Sequence, residues 1–203
     1  MAERGRPREF DRDAALRHAM EVFWEHGYEG AAMNDLTSAM GISSPSLYAA
    51  FGSKERLFRE AVDLYGHTEG GYTERALATA PTARDAIETM LRDNAAVYCD
   101  PATPRGCLVV VGGNTTGPRH AAVRELLADR RRWTATAVRQ RLDRGIDDGD
   151  LAPDTDTAGL ADFYTAVLFG LSVQAGDGAD IGRLGRIIDR ALYAWPEAVT
   201  ADR

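Results

Sequence analysis

Ala32-Met-Asn-Asp-Leu-Thr-Ser-Ala-Met-Gly41-Ile-Ser-Ser-Pro45-Ser-Leu-Tyr48-Ala-Ala-Phe51-Gly-Ser-Lys54-Glu55 reads as two short helices joined by a tight turn. In the first, Met33, Leu36 and Met40 fall at i, i+3 and i+7 on one face, leaving Asn34, Asp35 and Ser38 on the other. Gly41 ends it, because glycine tolerates the left-handed cap conformation. Ser43 or Ser44 caps a second helix with Pro45 in its first turn, where a missing N–H costs nothing. Leu47 and Phe51, at i and i+4, point inward, and Ser44, Ser46 and Tyr48 point out. The pattern predicts a helix-turn-helix whose outward face is short, polar and aromatic, as entry into a major groove requires. An ordinary helical hairpin has the same spacing, so the flanks decide.

Upstream, Asp11 to Glu25 carries Leu16, Ala19, Met20 and Phe23 at helical spacing, with His26-Gly27-Tyr28 as its stop. Downstream, Gly52 ends the second motif helix and Ser53 caps a third element beginning Lys54-Glu55-Arg56-Leu57-Phe58. The block from Val22-Phe23-Trp-Glu-His-Gly27-Tyr28 through Leu47-Tyr48-Ala-Ala-Phe51-Gly-Ser-Lys54-Glu55 strongly resembles the DNA-binding domain of the TetR/AcrR family of bacterial transcriptional regulators. The match runs over about the first sixty residues without a gap.

The resemblance implies an all-α fold: an N-terminal three-helix helix-turn-helix DNA-binding domain (1–56, with a basic arm) and a C-terminal helical ligand-binding and dimerisation domain (57–203). It makes Ser44 to Phe51 the recognition helix. Ser44, Pro45 and Ser46 then meet base edges, Tyr48 packs on the DNA backbone and Lys54 holds a phosphate, while Leu47 and Phe51 stay in the core. Asn34 and Ser43 complete the DNA-facing set. Independently of the family, Lys54 lies at a helix N-terminus, where free N–H groups and the dipole already favour an anion.

This chain departs from the family pattern at Ala31 and Ala32, where Ser or Thr often caps the first motif helix and reaches a phosphate. Ala49 and Ala50 stand where His, Tyr or Trp is frequent. Readout is therefore expected through serine hydroxyls, thymine methyls and DNA shape. Arg4-Gly5-Arg6-Pro7-Arg8 is short, basic and kept extended, the composition of an arm that lies across phosphates or enters a minor groove. The net charge of -7 opposes long-range attraction to a polyanion, but the sign of a local patch matters more than the total: if Arg4, Arg6, Arg8, Lys54 and Arg56 share one surface, the acidic surplus can sit on the rest of the molecule. The acidity speaks against a nonspecific chromatin or single-strand binder.

With 203 residues, 44% of them hydrophobic, the chain can build a small domain and a larger one. No run of about 18 apolar residues and no apolar leader is read, so a cytoplasmic location without a membrane is expected. Cys99 and Cys107 do not suggest a disulfide framework. Beyond Arg56 one helix runs from Ser53 to about Leu64, weakened by Gly66, Gly70 and Gly71, and another opens at Pro81-Thr82 and ends before Asp100-Pro101. Arg105 to Gly117 has strand propensity, but no lysine follows its glycines and no GxGxxG is present. The resemblance places a short helix there, over the ligand cavity. A long helix spans Pro118 to Ile146, with Leu126, Trp133, Val138 and Leu142 as buried candidates. Its arginines, Arg130 to Arg132 and Arg139, Arg141 and Arg144, read as a solvated, ion-paired face.

The last two helices carry apolar stripes: Leu160, Phe163, Val167 and Leu171, then Leu184, Ile188, Ala191 and Trp195. By resemblance they form a four-helix bundle with a second copy. The resulting homodimer sets its recognition helices about 34 to 36 Å or one to two helical turns apart on a near-palindromic double-stranded operator. No catalytic constellation, metal-ligand spacing or cofactor motif is read. The family implies a sensor of a small-molecule effector, apolar or aromatic, with Tyr72, Met90, Tyr98, Trp133, Phe163 and Tyr164 as pocket candidates. Cys107 joins them as a thiol able to meet electrophiles or oxidants. The leading reading is a repressor released by its effector. An activator uses the same residues, and the alanines at 31, 32, 49 and 50 also fit a helical binding protein with a degenerate helix-turn-helix.

Overall fold

The computed structural model describes residues 10–112 and 118–196. Arg4, Arg6 and Arg8 lie outside the described residues, as does the glycine-rich end of the Arg105 to Gly117 stretch. Ten α-helices occur among the described residues: α1 (Arg12–Gly30), α2 (Met33–Met40), α3 (Ser44–Phe51), α4 (Lys54–His67), α5 (Tyr72–Thr79), α6 (Ala83–Tyr98), α7 (Leu108–Val111), α8 (Ala121–Asp147), α9 (Thr157–Gly176) and α10 (Ile181–Leu192). None of the described residues is in a strand. The fold is all-α.

Local chemistry fixes most helix starts. Asp11, Ser43, Ser53, Thr82, Asp156 and Asp180 each accept a backbone N–H with their side chains at the N-caps of α1, α3, α4, α6, α9 and α10. Three boundaries differ from the sequence reading. α1 continues to Gly30, because Gly27 turns through φ 68° and the chain resumes a helical turn instead of stopping. α4 reaches His67 before a Thr68–Gly71 break; there Gly70 is required, since a Cβ would lie 2.7 Å from the Tyr65 ring. A 3-10 turn at Pro118–His120 precedes α8, which therefore starts at Ala121.

Two apolar clusters organise the helices. One joins α1 to α4 through Phe23, Leu36, Leu47, Phe51 and Phe58, and also receives Leu108 of α7 and Val123 and Leu127 of α8. The other gathers α5, α6, the C-terminal half of α8, α9 and α10 around Ile87, Met90, Leu142, Tyr164, Leu171 and Leu184. α7 and α8 thus touch both regions of the molecule. α9 meets the length and hydropathy of a membrane span (hydropathy 1.2), although Asp162 and Gln174 interrupt it. It buries Ala161, Tyr164, Leu168, Leu171 and Ala175 against the rest of the chain.

Trp133, read as core, is 50% exposed, because it lies at the rim of a cavity and not between helices. The arginines of α8 divide. Arg130 pairs with Asp63, Arg132 with Glu125 and Asp129, and Arg139 with Asp143. Arg141 instead is buried, with Nη2 donating to the Ala80 carbonyl at 3.3 Å and burial lowering its pKa. It corrects the reading of a uniformly solvated face.

Candidate nucleic-acid interface and effector cavity

The reading head is built from a sealed base and an open tip. Leu36, Leu47, Phe51, Leu57 and Phe58 are wholly or almost wholly buried, which holds α2 and α3 against α1 and α4. Gly41 takes φ 66° and lets the chain reverse between the motif helices. Ser43, and not Ser44, is the cap: its Oγ accepts the Ser46 N–H at 3.3 Å and lies 2.9 Å from the Ser46 hydroxyl. Ser44, Pro45 and Tyr48 are exposed and Ser46 is half-buried, so the candidates on α3 share its outward side. Asn34 is exposed on α2.

Lys54 occupies the first turn of α4, where the Ser53 Oγ accepts the Arg56 N–H at 3.1 Å. Its ammonium lies 4.7 Å from the Tyr28 ring centroid, a cation–π contact that directs the side chain. Burial lowers its pKa and the Glu29 charge opposes that shift. Sequence reasoning missed Arg12. Its guanidinium sits 4.3 Å over the Phe51 ring and pairs with Glu60 at 2.6 Å, tying α1, α3 and α4 together at the C-terminal end of the recognition helix.

The two pairs of alanines have different causes. Ala31 is completely buried in the head core, so a larger side chain does not fit without rearrangement. Ala32 is the exposed N-cap of α2 and makes no side-chain cap bond; Asp35 partly substitutes, accepting the Ala32 N–H at 3.3 Å. Ala49 is exposed and Ala50 half-buried on α3.

A cavity of about 140 Å³ lies between α4, α5, α6, α8 and α9 beneath the segment leading into α7. Of the pocket candidates, Tyr98, Cys107 and Trp133 line it. The other four stand elsewhere. Met90 is wholly buried in the core, and Tyr72 faces the Arg75 guanidinium at 5.0 Å. Tyr164 donates its hydroxyl to the Ala191 carbonyl at 3.3 Å, its pKa pushed up to about 12 by burial. Phe163 is 41% exposed on the outer side of α9. Tyr65, Asn94, Val109, Leu168 and Phe169 line the cavity and were not found from sequence. Asn94 left a signal, as a lone amide on the buried face of α6 between Met90, Leu91 and Ala95. Burial pushes the Cys107 thiol above its ordinary pKa, so it is held as a thiol and not a thiolate. Both cysteines are free.

A three-helix head with a capped recognition helix, a sealed base and an exposed Ser-Pro-Ser-x-Tyr tip defines a helix-turn-helix DNA-binding protein. The family model for bacterial regulatory proteins of the tetR family matches residues 15–61, and that for the tetracyclin repressor-like C-terminal domain matches residues 83–184. The chain belongs to the TetR family and is a DNA-binding transcriptional repressor. It is 34% identical over 200 residues to the HTH-type transcriptional repressor ComR of Escherichia coli, covering 97% of this chain and 94% of ComR. It is 28% identical over 180 residues to the HTH-type transcriptional repressor BdcR of the same organism, covering 89% and 86%. Among solved structures, a cysteine mutant of the TetR family regulator CifR complexed with 26-base-pair operator DNA is 52% identical. It superposes with a TM-score of 0.91 over 94% of this chain and 100% of that one.

Proposed function

We propose that this chain represses transcription as a homodimer on a near-palindromic operator and leaves it when a small molecule fills the cavity. The carrying observation is the outward side of α3. Ser44, Pro45 and Tyr48 are exposed above a base sealed by Leu47 and Phe51, while Lys54 is held beside them by Tyr28. Ser44, Pro45 and Ser46 are assigned to base edges, Tyr48 and Lys54 to the phosphate backbone, and Asn34 and Ser43 to the flank of the contact. Arg4, Arg6 and Arg8 are assigned to the adjacent groove or backbone. The operator-bound CifR structure supports DNA as the partner.

The effector is assigned to the cavity under α7, with Tyr98, Cys107 and Trp133 among its contacts. Coupling of about 1 to 3 kcal/mol between effector and operator is enough to change occupancy from fivefold to over a hundredfold. The dimer is assigned to α9 and α10. Along α9, Phe163, Ala166, Gly170 and Val173 fall at helical spacing on the exposed side, and Ile181 and Tyr193 are exposed at either end of α10. A cytoplasmic location follows from the genome being the target.

Selection of bound fragments from a genomic duplex pool tests the reading, with a Tyr48→Ala, Lys54→Ala double mutant as control. A near-palindrome enriched by the wild type and lost in the mutant is the expected result. No enrichment at low salt sinks it.

A further inference from the structure

The cavity contains a donor that the described residues leave unsatisfied. The Tyr65 side chain is 2% exposed, and its hydroxyl has no hydrogen-bond partner of ordinary geometry among the described residues. The hydroxyls of Tyr65 and Tyr98 both approach the Cys107 sulfur, and a thiol is a weak acceptor. Two phenol donors therefore converge on one poor acceptor. Asn94 does not relieve Tyr65: its Oδ1 is no partner of that hydroxyl, and its amide nitrogen donates to Thr73 Oγ1 at 3.0 Å and to the Met90 carbonyl at 2.8 Å. The other walls there, Val62, Leu168 and Phe169, are apolar. A buried donor left unpaired costs free energy that an incoming acceptor recovers.

Charge is confined to the mouth. Asp63 and Arg130 pair with each other there, each more than 40% exposed at the side chain. Glu74 and His67 are exposed, and the His67 ring meets the Asp63 carbonyl at 2.7 Å. An anion drawn inside would lose hydration and find no counter-charge beside Tyr65, where the Glu69 charge is itself negative.

We infer that the cavity takes a compact, uncharged, largely apolar molecule bearing one hydrogen-bond-accepting oxygen, a carbonyl or ether, seated against the Tyr65 and Tyr98 hydroxyls. This rests on the reading of the cavity as the effector site and names the chemistry of that effector. A volume of about 140 Å³ suits a single ring, since an apolar cavity of about 150 Å³ accepts benzene. A pure hydrocarbon fills the space but leaves Tyr65 unpaired. A carboxylate pairs the phenols but carries its charge inside.

Calorimetric titration of the full chain with acetophenone, ethylbenzene and benzoate tests this, the three probes sharing a ring and differing in the acceptor. Acetophenone is expected to bind about tenfold more tightly than ethylbenzene, the worth of one hydrogen bond, and benzoate more weakly than either. In Tyr65→Phe, which keeps the ring, the preference for acetophenone is expected to fall to about threefold or less; Tyr98→Phe gives a second reading if that variant fails to fold. The inference is overturned if none of the probes binds, if ethylbenzene binds as tightly as acetophenone, if benzoate binds best, or if the preference survives both substitutions. The titration contains no DNA. Failure of the probes with operator binding intact leaves the repressor standing, whereas bound acetophenone that leaves operator affinity unchanged removes the effector coupling alone.

Discussion

The Trp24 indole N–H donates to the Gly106 carbonyl at 3.0 Å, a buried bond joining α1 of the reading head to the segment that covers the cavity. Both ends are held. The Trp24 ring meets Tyr65 edge-on at 4.9 Å. Gly106 takes φ 79°, and a Cβ there would lie 2.8 Å from the Ser172 carbonyl oxygen. The next residue, Cys107, donates its N–H to Ser172 Oγ at 2.8 Å. Trp24→Phe keeps a ring against Tyr65 but orphans the Gly106 carbonyl, and should lower unfolding free energy by about 1 to 2 kcal/mol in urea titrations. The same variant should show a smaller change in operator affinity when the cavity is filled. An unchanged urea midpoint would show that water replaces the indole at no cost.

Tyr48 is 51% exposed with its neighbours Leu47 and Phe51 buried, so removing it touches the DNA face and not the fold. Tyr48→Ala is expected to weaken operator binding while moving stability by no more than about 0.5 kcal/mol. Lys54→Ala should weaken all duplexes alike and reduce the slope of log affinity against log salt by about one. Gel-shift titrations at several salt concentrations read both effects. A Lys54 variant with an unaltered slope would remove that residue from the phosphate contacts.

Ala32 offers a gain of stability. It sits at the N-cap of α2 with φ -70° and ψ 153°, the extended conformation of a capping residue, and supplies no side-chain acceptor. Ala32→Ser should raise unfolding free energy by about 0.5 to 1 kcal/mol by accepting an orphan N–H, visible as a higher urea midpoint. An unchanged midpoint would mean that water already satisfies the first-turn N–H groups, since the Asp35 carboxylate accepts only the Ala32 N–H.

The head was legible in sequence because its determinants are local: Gly41 needs a positive φ, Ser43 and Ser53 cap, and Leu47 and Phe51 repeat at helical spacing. The cavity was not, because its walls come from six helices whose mutual approach no local spacing encodes. Trp133 and Arg141 were misjudged for one reason. Residue type suggests core for tryptophan and solvent for arginine, yet Trp133 stands at a rim, and Arg141 reaches the Ala80 carbonyl at the end of α5. The passage through Gly27 also exceeds local reading, whereas Gly70 and Gly71 marked the break after α4. A glycine at φ 68° ends many helices, but here tertiary contacts of Tyr28 with Phe23 and Phe58 carry the chain onward.

The exposed stripe on α9 has a measurable consequence. Ala166 lies between Phe163 and Gly170 on the solvent side, and a Cβ on Gly170 would meet nothing within 4 Å. Ala166→Arg therefore costs the isolated subunit little but puts a charge into the proposed dimer contact. Sedimentation of the wild type is expected to give a dimer and of Ala166→Arg a monomer, with operator binding reduced accordingly. A wild type that remains monomeric at all concentrations would overturn the assignment of the interface.

Stability at alkaline pH follows from thiols and phenols whose pKa values the fold raises. Burial raises the pKa of Cys107 above its ordinary 9.0, and those of Tyr65 and Tyr98 well above 10.0. Below 9.0 these groups stay protonated in folded and unfolded chains alike, so they add no pH dependence. Above it the unfolded chain ionises Cys99 and Cys107 first, while the folded chain holds both as thiols. The unfolded state then binds fewer protons, and stability falls as pH rises, by up to about 1.4 kcal/mol per pH unit per group. Urea midpoints should fall from about pH 9 and steepen where the tyrosines join. Cys107→Ala alone should make the first decline shallower, and in Cys99→Ala, Cys107→Ala, which removes both raised thiols, the onset should move up by about one pH unit, the gap between 9.0 and 10.0. A decline of unchanged onset in the double variant would assign the alkaline loss to groups other than the thiols.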